Sequence, residues 1–103
     1  MISYLEGQVL FVETSFAVLK TMGVGYQVIL SKSDLEKLTE GQDAHFFIHT
    51  HVREDAFELF GFSSRVDRQL FLLLISISGI GPRLGLSILS GLSAQELILA
   101  IAN

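Results

Sequence analysis

The hydrophobic period of this chain changes once, close to residue 63. Ala56-Phe57-Glu58-Leu59-Phe60-Gly61-Phe62 alternates with period two, the mark of a strand. From Val66 the apolar positions are Leu70, Phe71, Leu73, Leu74 and Ile77, at the spacing of a helix. One regular element cannot satisfy both periods. The chain must therefore be a β part followed by an α part, with Ser63-Ser64 as the boundary: residues 1–63, then 64–103.

The β part reads as five short strands. Tyr4 to Val12 and Phe16 to Leu19 flank a polar Glu13-Thr14-Ser15 turn. Val24 to Leu30 is rich in β-branched and aromatic residues and follows Gly23, and His45 to Val52 and Ala56 to Phe62 complete the set. One short helix interrupts them. Ser33-Asp34-Leu35-Glu36 has the form of a capping box, with Ser33 as N-cap and Gly41 as the closing residue. Five strands and one small helix suit a small barrel, of which the OB-fold is one case.

The α part carries three helix starts. Ser64-Arg65-Val66-Asp67 opens the first, and Ser78-Gly79-Ile80-Gly81 ends it. Pro82 then fits the first position of a second helix, where its missing N–H would be unpaired anyway. Leu84, Leu86, Ile88 and Leu89 carry that helix to Gly91 as C′ residue, and Ser93-Ala94-Gln95-Glu96 opens a third.

Half of the 103 residues are hydrophobic, more than so small a chain can enclose, which points to self-association. There is no cysteine, hence no disulfide framework and no thiolate metal site. The first residues lack a basic segment followed by an apolar one, and the longest apolar run, Leu70 to Ile75, falls far below the roughly 20 residues of a membrane span. These features fit a cytoplasmic protein with no membrane partner. The net charge of −4 is divided unevenly: residues 1–63 hold nine acids against four bases, residues 64–103 two acids against Arg65, Arg68 and Arg83. An anion-binding surface would belong to the second part, or would use backbone N–H groups in place of cations.

Helix, Gly79-Ile80-Gly81, then a helix opened by Pro82 is the order of a helix-hairpin-helix. Glycines allow a ligand to approach the backbone, and free N–H groups at a helix N-terminus attract anions. In that arrangement Gly79, Ile80 and Gly81 hold a DNA phosphate, Ile80 anchors the turn to the core, and Arg83 adds a charged contact. A plain αα-hairpin turn is satisfied by the same residues. Glu54 and Asp55 fall between two strands, where a solvated hairpin tip is equally ordinary. His45, His49 and His51 share one strand face with Phe47, a spacing compatible with a metal, but no further ligand accompanies them. Phe46, Phe47, Phe57, Phe60 and Phe62 could form a stacking platform for bases, although their regular alternation fits packing better. No phosphate-binding loop, nucleophile–base set or metalloprotease motif occurs, so no catalytic residue and no cofactor is expected.

Taken together, His51-Val52-Arg53-Glu54-Asp55-Ala56, Leu59-Phe60-Gly61-Phe62 and Gly79-Ile80-Gly81-Pro82-Arg83-Leu84 resemble the RuvA family of bacterial Holliday-junction-binding proteins. Gly23-Val24-Gly25-Tyr26 and Ile88-Leu89-Ser90-Gly91-Leu92-Ser93 fit the same pattern, in the same order, over essentially the whole chain. The resemblance implies an OB-fold domain followed by a helical domain with two helix-hairpin-helix motifs, of which only the first falls within these residues. It also implies a homotetramer that holds four-way junction DNA open and square. A further domain binds the RuvB motor, which hydrolyses ATP, and the RuvC resolvase is a second partner in recombination, repair and the SOS response. In this resemblance Glu54 and Asp55 form an acidic pin at the junction centre, with Arg53 as an additional DNA contact. Gly85 departs from the pattern, which more often has alanine there; glycine costs a helix interior about 1 kcal/mol. Two rivals remain: an OB module for single-stranded DNA, and a fragment that assembles without useful DNA affinity.

Overall fold

In a computed structural model, residues 1–91 are described. Five strands close into a barrel: β1 (Tyr4–Val12), β2 (Phe16–Thr21), β3 (Val24–Ile29), β4 (Asp43–Arg53) and β5 (Ala56–Phe62), in the spatial order β1-β2-β3-β5-β4. All pairings are antiparallel except β3 with β5, where Val28 and Ile29 lie beside Leu59 and Phe60 in parallel. The barrel closes where Tyr4–Gln8 pair with Phe47–Asp43. Closure leaves no free sheet edge in need of a second chain. The expected small barrel is thus a closed, OB-like one with helices after it.

Alternation sorts the side chains of each strand. Leu5, Val9, Ala17, Leu19, Val28, Phe46, Ile48 and Leu59 fill the interior. Thr50 is the buried polar exception on β4; its hydroxyl donates to the Ile2 carbonyl (2.6 Å) and accepts from the Ile2 amide (3.1 Å). That exchange satisfies the hydroxyl and fastens the chain's start to β4.

Between β3 and β4 lies α1 (Lys32–Glu36). Its N-cap is Ser31, whose Oγ accepts from the Asp34 amide at 3.2 Å; Ser33, the expected cap, is inside the helix and its hydroxyl meets that of Ser31. Ser31-Lys32-Ser33-Asp34 offers two overlapping caps, and burial of Leu35 selects the earlier. The helix ends at Lys37, with Gly41 in the turn that follows.

Helix α2 (Arg65–Ile75) begins as its capping residues require: Ser64 Oγ accepts from the Asp67 amide at 3.1 Å. Leu70, Phe71 and Leu74 are buried, but Val66, Leu73 and Ile77 are about half exposed, so the apolar pattern there is wider than the face that packs. Helix α3 (Pro82–Gly91) continues through Gly91, expected as the residue beyond the helix; the third expected helix, from Ser93, lies outside the described residues.

The two parts share a core. Phe60 and Phe62, on the outer face of β5, pack with Ile29, Phe71 and Leu86. Phe71 is fully buried, with ring centroids 5.5 Å from Phe60 and 4.8 Å from Phe62. Arg68 adds a polar tie from α2 to the barrel, its Nε donating to the Ile48 carbonyl at 2.7 Å. Gly85 occupies the α2–α3 contact: a Cβ there would lie 3.0 Å from Ile75 Cγ2. Its intrinsic helix penalty is offset by the close approach of the two helices.

Candidate nucleic-acid interface

The turn between α2 and α3 is built by short-range backbone bonds and by one anchoring side chain. Ser76 caps α2, the Ile77 amide bonds the Leu74 carbonyl (3.1 Å), and the Ile80 amide bonds the Ile77 carbonyl (3.1 Å). Gly79 has φ +90°, a conformation that a side chain strains by roughly 1–2 kcal/mol. Ile80 is half-buried against Leu70 and Leu74 and roots the turn in the helical core. Gly81 accepts the first bond of α3, from the Gly85 amide at 2.9 Å. The amides of Arg83 and Leu84 precede that ladder at the helix N-terminus, beside exposed Gly81. Beyond its immediate chain neighbours nothing lies within 4 Å of where a Gly81 Cβ would stand, so the backbone faces open space. Such a surface can accept an anion without a dedicated cation.

The hairpin of β4 and β5 turns at Glu54 and Asp55, just beyond the Arg53–Ala56 pair, and both carboxylates are exposed. Arg53 and Arg83, far apart in sequence, come together on one acid. Arg83 Nη2 donates to Glu58 Oε2 at 2.8 Å, and Arg53 Nη2 donates to Glu58 Oε1 at 3.2 Å. The acidic tip and the glycine turn are thereby joined through a residue that sequence reasoning passed over. Glu58 lies on the outer face of β5 with Phe60 and Phe62, and nothing in its local pattern sets it apart. The other cations of the α part are placed differently: Arg68 is tied to β4, and Arg65 is exposed at the start of α2.

The histidine face of β4 is aromatic in its contacts. His45 lies near Tyr4 (6.2 Å between centroids), and His49 lies near Phe71 (5.7 Å) and His51 (6.1 Å). Burial, then the positive neighbours His51 and Arg68, hold the His49 pKa below its usual value. Among the described residues no group of three or more acidic or histidine side chains could hold a metal ion. Of the five phenylalanines, Phe46, Phe60 and Phe62 are buried, Phe47 is half-buried and Phe57 is exposed.

The family model described as the RuvA N terminal domain matches residues 1–61, the barrel almost to the end of β5. Curated relatives extend the similarity past it. A protein of Myxococcus xanthus is 47% identical over 104 aligned residues, which take in all of this chain and 52% of the relative. One from Bdellovibrio bacteriovorus is 45% identical over 93 residues, 88% of this chain and 47% of the relative, and one from Chlorobium phaeobacteroides is 42% identical over all of this chain and 52% of the relative. Each carries the name Holliday junction branch migration complex subunit RuvA. The chain spans about half the length of these relatives. A barrel of this topology, matched by its own family model over more than half of the sequence, places the chain in the RuvA N-terminal domain family.

Proposed function

We propose that this chain is the DNA-gripping part of a RuvA-type subunit, which recognises four-way junctions without catalysis and holds them open for branch migration. In this reading residues 1–63 are an OB-fold domain and residues 64–103 begin a helical domain whose first helix-hairpin-helix is α2, the Gly79–Gly81 turn and α3. Gly79, Ile80, Gly81 and Arg83 engage a phosphate, Arg53 adds a contact, and Glu54 and Asp55 act as the acidic pin. The junction is shared by four copies and worked on by the RuvB motor, with RuvC as the resolvase, in the bacterial cytoplasm. No helix among the described residues is long and apolar enough to cross a membrane.

The observation that carries this reading is the open N-terminus of α3 beside an exposed glycine turn rooted by Ile80. It explains how a chain of net charge −4 can bind a polyanion: the donors are backbone amides. Burial of Phe46, Phe60 and Phe62 argues against a single-strand module, since bases cannot stack on rings enclosed in a core. The test is a gel-shift comparison on a four-way junction, a duplex and a single strand of equal length. Preference for the junction supports the proposal, single-strand preference favours the rival module, and self-association without DNA binding leaves an assembly unit.

A further inference from the structure

Glu58 is the most enclosed charged group at this surface, with 19% of its side chain exposed against 57% for Arg53 and 65% for Arg83. Its two oxygens are divided between the two guanidinium groups, one each. A phosphodiester also presents a pair of acceptor oxygens to Arg, so two guanidinium groups converging on one carboxylate reproduce how they would meet a DNA phosphate. Each Arg gives Glu58 a single Nη2 contact and has five N–H donors in all.

We propose that Glu58 is the internal counter-anion of the phosphate-binding surface, occupying Arg53 and Arg83 in the free protein and yielding Arg83 to a DNA phosphate. The proposal rests on the reading that the α2–α3 turn binds phosphate, and it adds a consequence that reading lacks. A cation neutralised from within displaces a carboxylate when DNA arrives, so its contact contributes little to the salt dependence of binding. Glu58 therefore weakens the hold of this face on any phosphate at low salt and flattens the salt response. Affinity is left to depend on several contacts made together.

The test is a salt titration of four-way-junction binding between about 50 and 200 mM, with the wild-type chain, Glu58→Gln, Arg83→Ala and the double variant. Thermal unfolding confirms that each remains folded. Glu58→Gln is expected to bind more tightly and to steepen the log–log salt slope by about one unit, a roughly four-fold additional change in affinity across that range. Arg83→Ala in the Glu58→Gln background is expected to abolish the steepening. If Glu58→Gln leaves affinity and slope unchanged while Arg83→Ala weakens binding, the counter-anion role falls and the phosphate reading stands. Weaker binding by Glu58→Gln also overturns it, because Glu58 would then be positioning the arginines. No effect of Arg83→Ala in either background removes Arg83 from the DNA and the proposal with it, and absence of junction binding by the wild type overturns both readings.

Discussion

The ring of Phe71 on α2 packs against that of Phe62 on β5, with centroids 4.8 Å apart and planes tilted by 44°. This pair, with Phe60 behind it, is where helix and barrel become one hydrophobic unit. Phe71→Ala should cost about 3–5 kcal/mol, the usual range for emptying a fully buried aromatic site. Urea unfolding checks this. A loss below about 1 kcal/mol would mean that the helices do not depend on the barrel.

The two glycines of the α2–α3 turn should separate stability from binding. Gly79→Ala introduces a Cβ at φ +90° and should cost about 1–2 kcal/mol of stability. A Cβ at position 81 has open space around it, so Gly81→Val should be milder for the fold, yet it places a branched side chain where a phosphate is proposed to approach. Junction affinity should fall more for Gly81→Val than for Arg83→Ala, with circular dichroism unchanged. Wild-type affinity in Gly81→Val would remove the turn from the mechanism.

Glu54→Gln combined with Asp55→Asn sets the acidic pin against a solvated hairpin tip. Each carboxylate about 6 Å from a phosphate contributes roughly 0.7 kcal/mol of repulsion in bulk water, more beside a low-dielectric surface. The double variant should bind duplex more tightly and lower the junction-to-duplex affinity ratio at low salt, with the contrast shrinking near 1 M salt. An unchanged ratio rules out the pin.

The stability of the fold should depend on His49. Burial favours its neutral form, and the positive charges of His51 and Arg68 act in the same direction, so its folded pKa lies below the unfolded value of about 6.5. As pH falls below that value the unfolded chain takes up the proton first. Stability is therefore retained above about pH 6.5 and declines on acidification. Melting temperatures measured from pH 7.5 to 5 should fall less for His49→Gln than for the wild type. Parallel curves would show that another group controls the acid limb.

Val66, Leu73 and Ile77 form an exposed apolar stripe along α2 and the residues after it, at spacings of one and two helical turns. Such a stripe favours self-association, proposed here to be tetrameric. Light scattering at micromolar concentration should detect the assembly, and Leu73→Glu should reduce it without unfolding the chain. Monomer alone up to about a hundred micromolar would exclude it.

Features set by neighbouring residues could be read from the sequence, whereas those set by docking could not. The limits of β5 and the Ser64 cap follow from a short apolar and aromatic run ended by Ser63-Ser64 and from one serine placed three residues before Asp67, although β5 is covered on both faces from Leu59 to Phe62. The cap of α1 moved from Ser33 to Ser31 because both serines satisfy the local rule, and only the burial of Leu35 distinguishes them. Val66, Leu73 and Ile77 match the helical period as well as Leu70 and Leu74 do; which stripe is covered depends on where α3 lies. At the candidate interface, the glycine turn and the acidic tip are contiguous motifs. Glu58 becomes notable only once α3 brings Arg83 across 25 residues of sequence to meet it.

The closure of β1 against β4 also governs the order of events at the ribosome. Residues 4–8 find their partners only at residues 43–47, so the first strand leaves the exit tunnel well before the strand that completes it. At about 5–20 residues per second the wait is on the order of 2–8 s. Throughout it, Leu5 and Val9 have no interior to enter, and Phe71 later has no Phe60–Phe62 surface to meet unless β5 is already seated. Synthesis thus favours an order, barrel before helices, in which the α2–α3 turn gains its support only after β5 is in place. A pause before residue 43 would prolong the time in which residues 4–8 of β1 lack their β4 partners.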